Sequence, residues 1–109
     1  MTQNQINKKF TKINFLEFLK TMDKKETDTC RVYSEDCFFG LFVRRIFPEY
    51  RTVTNWDGIY YYSYRGPVQV FEYPTWAKDY LAYLRNLVNP NSREFAKIAK
   101  TATIKFLTK

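Results

Sequence analysis

The chain has 109 residues, 45% of them hydrophobic and 27% charged, with a net charge of +7 and no histidine. That length and balance suit one globular domain with its own core and exclude a disordered chain, and no apolar run reaches the roughly 20 residues that span a bilayer. The absence of histidine excludes Ser-His and Cys-His nucleophile pairs, His-based metal sites and the usual general base at neutral pH.

Taken in chain order, residues 1–12 are polar and Lys-bearing, and read as a flexible basic arm preceding a single domain over residues 13–109. A first helix is predicted at about 14–22. Asn14 and Glu17 have capping-box spacing, and Ile13 and Phe18 can form a hydrophobic staple. A second helix is predicted from Ser34 to about Phe47. Glu35 and Asp36 suit its positive end, Arg44 and Arg45 its negative end, and Pro48 stops it. Cys37, Phe38, Phe39, Leu41, Phe42, Val43, Ile46 and Phe47 leave it only a narrow polar strip, so it is expected to be the most buried helix.

Three short strands are predicted next, at about 51–56, 59–64 and 68–73. Asp57-Gly58 reads as a two-residue type I′ turn, which needs positive φ at both central positions. Arg65-Gly66 before Pro67 reads as the second turn. A third helix follows Pro74, capped by Thr75, and breaks at Asn89-Pro90. A fourth is predicted at about 92–107, with Phe95, Ile98, Ala99, Ala102 and Phe106 on one face and Arg93, Lys97, Lys100 and Thr101 on the other. The expected fold class is therefore α+β: a three-stranded antiparallel β-meander packed with about four α-helices.

Two-residue turns set a register, pairing Val53 with Tyr62 and Tyr61 with Val70. One sheet face then holds Thr52, Thr54, Trp56, Ile59, Tyr61, Ser63, Val68 and Val70, and is expected beneath helices. The other holds Arg51, Val53, Asn55, Tyr60, Tyr62, Tyr64, Gln69, Phe71 and Tyr73. Its mixture of rings with Arg, Asn and Gln has the composition of a binding surface. A bulge or a three-residue loop at Gly66-Pro67 would reverse the third strand's assignment.

Catalytic chemistry is not expected. Two cysteines without histidine cannot assemble the usual structural zinc site, and the three separated glycines form neither a phosphate loop nor a dinucleotide fingerprint. Cys37 reads as a buried thiol, and Cys30 and Cys37 as unpaired in a cytoplasmic protein, the compartment expected because the first residues lack the basic-then-apolar order of a signal peptide. No catalytic residue, metal or cofactor is assigned.

The charge is uneven. Residues 1–25 carry six Lys against Glu17 and Asp23, and residues 65–109 carry eight basic groups against three acids. Such a field favours a polyanionic partner. The leading expectation is a small basic binding module that engages nucleic acid or a nucleoprotein complex. Arg51, Asn55, Tyr60, Tyr62, Tyr64, Phe71 and Tyr73 would form its stacking or anchoring face, and Arg93, Lys97 and Lys100 would supply phosphate contacts. Base stacking is worth roughly 1–3 kcal/mol per ring, enough for three rings to matter. The alternative is a small inhibitor or adaptor of phage or plasmid type that docks on an acidic protein surface, because Tyr is also enriched at interface hot spots. An exposed aromatic face also permits a homodimer by isologous contact.

Overall fold

The computed structural model describes residues 1–23, 25, 38–55, 57–63, 65–85, 101 and 103–108. Along them run α1 (Gln3–Lys9), α2 (Lys12–Thr21), α3 (Phe38–Ile46), β1 (Thr52–Thr54), β2 (Ile59–Tyr61), β3 (Gln69–Phe71) and α4 (Thr75–Arg85), and residues 103–107 are again helical. The architecture is α+β around a three-stranded antiparallel sheet in the order β1-β2-β3. Among the described residues, no helix is long and apolar enough to cross a membrane.

Where a loose arm was expected, the structure has a capped helix. The Thr2 hydroxyl accepts the Gln5 N–H at 3.2 Å, and Gln5 Oε1 accepts the Thr2 N–H at 2.8 Å. This reciprocal box satisfies two of the orphan donors at the start of α1. Ile6 and Phe10, four residues apart and so on one side of the helix, are 0% and 1% exposed. The polar residues between them face water. Polarity alone misread this segment, because one apolar residue per turn is enough to dock a short helix.

Helix α2 starts earlier than the expected cap at Asn14. Thr11 caps it, its hydroxyl accepting the Asn14 N–H at 3.1 Å. Asn14 instead donates through Nδ2 to the Lys9 carbonyl at 3.0 Å and ties the α1–α2 junction. With the cap moved, Ile13 no longer precedes the helix. The expected staple is not made, and Ile13 is 74% exposed while Phe18 is buried.

Helix α3 turns Phe38, Phe39, Gly40, Phe42 and Val43 inward and carries Arg44 and Arg45 in its last turn. The chain leaves it at Phe47, and the Tyr50 N–H closes a turn on the Phe47 carbonyl at 3.1 Å. The expected start at Ser34, and both cysteines, lie outside the described residues. Helix α4 opens on Pro74, whose carbonyl accepts from the N–H groups of Ala77 and Lys78. Thr75 is thus its first helical residue. Ala77, Tyr80 and Leu81 are buried, and the Tyr80 hydroxyl pairs with Thr103 Oγ1 at 2.9 Å inside the core.

The core is built from rings. Phe10 meets Phe39, Phe42, Tyr73 and Trp76 at centroid distances of 5.0, 5.2, 5.7 and 5.4 Å. Phe15 meets Phe39, Phe42, Trp76 and Tyr80 at 4.9, 5.2, 5.6 and 5.4 Å. Most of these contacts are edge-on or tilted, the arrangements that ring quadrupoles favour, worth about 0.5–1.5 kcal/mol per pair beyond area burial. The aromatic excess of the composition is therefore largely a core property.

The sheet's register departs from the expected one in two ways. Val53 pairs with Tyr60 and Thr54 with Ile59. The β1–β2 turn falls between Asn55, whose N–H donates to the Gly58 carbonyl at 2.9 Å, and Gly58 itself. Moving the turn by one residue slides the pairing by two, so both strands keep their expected faces. Gly58 does not have positive φ. The second change has larger consequences. Tyr60 pairs with Val70, Ile59 with Phe71 and Tyr61 with Gln69, the register of a three-residue connection. A shift of one residue turns β3 over. Phe71 goes inward beside Ile59, and Val70 goes out.

Candidate functional site

The inner face of the sheet carries Thr52, Thr54, Ile59 and Phe71, all buried, with Tyr61 half-buried against Tyr50 at 5.2 Å between ring centroids. Tyr73, just past β3, is 3% exposed and donates its hydroxyl to the Asn55 carbonyl at 2.6 Å. Phe71 and Tyr73 are therefore corrected from binding face to core. The competition that decides this is one of area. A Phe or Tyr buries 150–250 Å² and outweighs a Val at about 25 cal/mol per Å². The register that buries both rings wins over the one that would bury Val68 and Val70.

What remains outside is a compact apolar strip across all three strands. The directly opposed row Val53, Tyr60 and Val70 forms its middle. Val53 and Tyr60 are half-buried, and Val70 is 53% exposed. Beside this row, Tyr62 is 40% and Val68 46% exposed. Val68 and Val70 had been expected beneath helices, so their placement is the second half of the same correction.

Charge is arranged at the two ends of the strip. Arg51, whose carbonyl accepts the Tyr62 N–H, marks one end, with Arg65 in the β2–β3 connection. Asn55, Asp57 and Glu72 mark the other, and all five are exposed. Tyr60 reaches toward that acidic end and donates its hydroxyl to Asp57 Oδ2 at 3.0 Å. This hydrogen bond, aided by desolvation and by the negative charge of Asp57, holds the phenol above the ordinary tyrosine value, against a smaller lowering from Asn55. The ring is anchored at its tip. Its partners across the ladder on either side are Val53 and Val70.

Of the residues expected at the site, the structure brings Arg51, Asn55, Tyr60 and Tyr62 together on this outer face. Tyr64, Arg93, Lys97 and Lys100 lie outside the described residues. Val53 had been placed on this face but given no part in binding, and Val68 and Val70 were missed, because the two-residue turn assumed at Arg65-Gly66 put β3 in the wrong phase. Pro67, which donates no hydrogen bond, was the signal for a longer connection.

A concavity lies between α2 and α3. It is a shallow groove of about 330 Å³ with Phe18, Phe42 and Ile46 at its floor and Asn14, Glu17, Thr21 and Arg45 around it. The Arg45 guanidinium already covers the Phe18 ring at 4.9 Å and donates to Thr21 Oγ1 at 3.1 Å.

No protein-family model, no curated protein and no solved structure matches this chain.

Proposed function

We propose that the chain is a non-enzymatic binding module that docks a protein partner through the outer face of its sheet, as an adaptor or inhibitor would. The observation that carries this reading is the strip centred on the row Val53, Tyr60 and Val70, apolar in its middle and polar at both ends. That is the anatomy of a protein interface, an apolar centre inside a charged rim. A stacking platform for bases needs free flat rings, and valine offers none. Asp57 and Glu72 at one end of the strip would also repel phosphate.

A second reading, engagement of nucleic acid, keeps one observation in its favour, the net charge of +7. Exposed Lys8, Lys9, Lys12 and Lys20 belong to the helices and not to the sheet face, so on this reading the helical side would carry the contact.

A photo-crosslinking amino acid placed at position 62, and in a control at the exposed position 13 on α2, separates the two in cells of origin. The protein-docking reading expects a protease-sensitive, nuclease-resistant adduct from position 62 and little from position 13. Adducts removed by nuclease would move the conclusion to nucleic acid. Binding of a single-stranded 20-mer should then weaken linearly with log salt, with a slope of about −0.7 per phosphate contact. Equal protein adducts from both positions would remove the sheet face from the account.

A further inference from the structure

The phase of the sheet's hydrogen bonds determines which backbone groups β3 turns outward. The Asn55 N–H donates to the Gly58 carbonyl, and the Tyr62 N–H to the Arg51 carbonyl. Residues 58, 60 and 62 therefore turn their N–H and C=O groups toward β1, because bonding alternates along an antiparallel strand. The groups of Ile59 and Tyr61 point the other way and meet Phe71 and Gln69 of β3. By the same alternation, the N–H and C=O groups of Val68, Val70 and Glu72 leave the sheet along its open edge.

At Glu72 that outward pair is already occupied. Gln3 Nε2 donates to the Glu72 carbonyl at 3.2 Å, and Gln3 Oε1 accepts the Glu72 N–H at 3.2 Å. A second bond from Gln3 Nε2 to Asn7 Oδ1, at 3.1 Å, holds the carboxamide in orientation. This two-bond exchange is the one an added strand's peptide groups would make. The side chain of α1 occupies one ladder position and demonstrates its geometry.

One ladder position along, at Val70, no hydrogen-bond partner is found for the outward groups among the described residues. Among the described residues no Lys, helix or side-chain amide blunts the edge there, and edges are ordinarily blunted in such ways. Val68 and Val70 stand exposed beside it.

We propose that the edge of β3 is a strand-addition site, at which an extended segment of a protein partner pairs with residues 68–70 and ends at Gln3. Main-chain bonds to the N–H and C=O groups of Val68 and Val70 give the affinity, and alternate side chains give the specificity. The added strand lengthens the row Val53, Tyr60, Val70 by one residue, so its chemistry is an aliphatic or aromatic side chain opposite Val70. This deepens the protein-docking reading and rests on it.

Val70→Pro is the informative variant. It removes an outward N–H that the sheet itself does not use, at an edge position where proline is tolerated. The probe is a displayed library of random ten-residue peptides, selected on the full-length protein, with the enriched sequences synthesised. The expected result is alternating apolar sequences whose affinity falls about tenfold or more for Val70→Pro, the loss of one main-chain bond, with unchanged circular dichroism. If the variant does not fold, the same peptides N-methylated at alternate amides are titrated against the unaltered chain, and one methylation phase should abolish binding while the other is tolerated. Peptides that bind Val70→Pro normally but not Tyr62→Ala would overturn strand addition and leave face docking standing. Peptides insensitive to both variants, or none selected while a single-stranded 20-mer binds, would overturn strand addition and face docking together.

Discussion

A Cβ at Gly58 would stand 2.5 Å from the Phe71 carbonyl oxygen, in a backbone held by the Asn55 N–H on one side and, at the next residue, by the pairing of Ile59 with Phe71 on the other. The glycine is required by this close approach of strands, not by a left-handed turn. Gly58→Ala must push β2 from β3, and is expected to cost about 1–3 kcal/mol, read as a lower urea midpoint. Gly66→Ala is the contrast. There, among the described residues, the new Cβ meets the Ser63 hydroxyl at 2.8 Å, a group that can rotate away, so the midpoint should move by less than about 0.5 kcal/mol in equivalent stability. Tyr60 makes a second prediction at this scale. Its phenol is raised above the ordinary value by the hydrogen bond to Asp57 first, with burial and the charge of Asp57 adding to it. The neutral form is the one favoured by folding, so the pair's contribution is fully present below the unfolded tyrosine value. It is lost as pH rises through the raised folded value. Difference absorbance between the unaltered protein and Tyr60→Phe should isolate this titration, and Asp57→Asn should move it down toward the ordinary range. An unmoved titration would show that Asp57 is not the cause.

At the scale of elements, α1 contributes to the core and does more than decorate it. Phe10, at its C-terminal end, is a hub in contact with rings of α3, α4 and the segment after β3. Phe10→Ala is expected to cost about 3–5 kcal/mol in denaturant unfolding, whereas truncation of a ring on a loose arm would leave the midpoint unchanged. The signals for α1 were present in Thr2 and Gln5 at capping-box spacing, followed by Ile6 and Phe10 four apart, but the polar residues between them masked it. Strands β1 and β2 were legible because their alternation survives a two-residue slip. Strand β3 was not. Its face depends on whether two or three residues connect it to β2; the competition between burying Phe71 with Tyr73 and burying Val68 with Val70 decides that, and Pro67 is its one local sign. The candidate site was accordingly half visible: Arg51, Asn55, Tyr60 and Tyr62 lie on strands whose faces were right, and the valines lie on the strand that turned over.

For the molecule as a whole, the two compositional outliers belong to different places. The aromatic excess fills the interior, and the exposed cations of α1, α2 and α3 stand on helices, with Lys9 lying 5.2 Å over the Phe47 ring. A reading from composition merged them into one basic aromatic surface, because neither burial nor strand phase is visible in counts of residue types. The ring cluster has one further consequence, for the order of events in folding. Phe10 and Trp76 touch across a separation of 66 positions, so the core cannot exist until distant parts of the chain have met. The hairpins from Thr52 to Phe71 are local and can pair earlier, since closing a short loop costs less entropy than closing a long one. In that interval the inner face of the meander, with Phe71 and Tyr73, has no lid, and the edge at Glu72 has no plug. Docking of α1 sets Gln3 on the edge at Glu72 and Phe10 against Tyr73 in the same event.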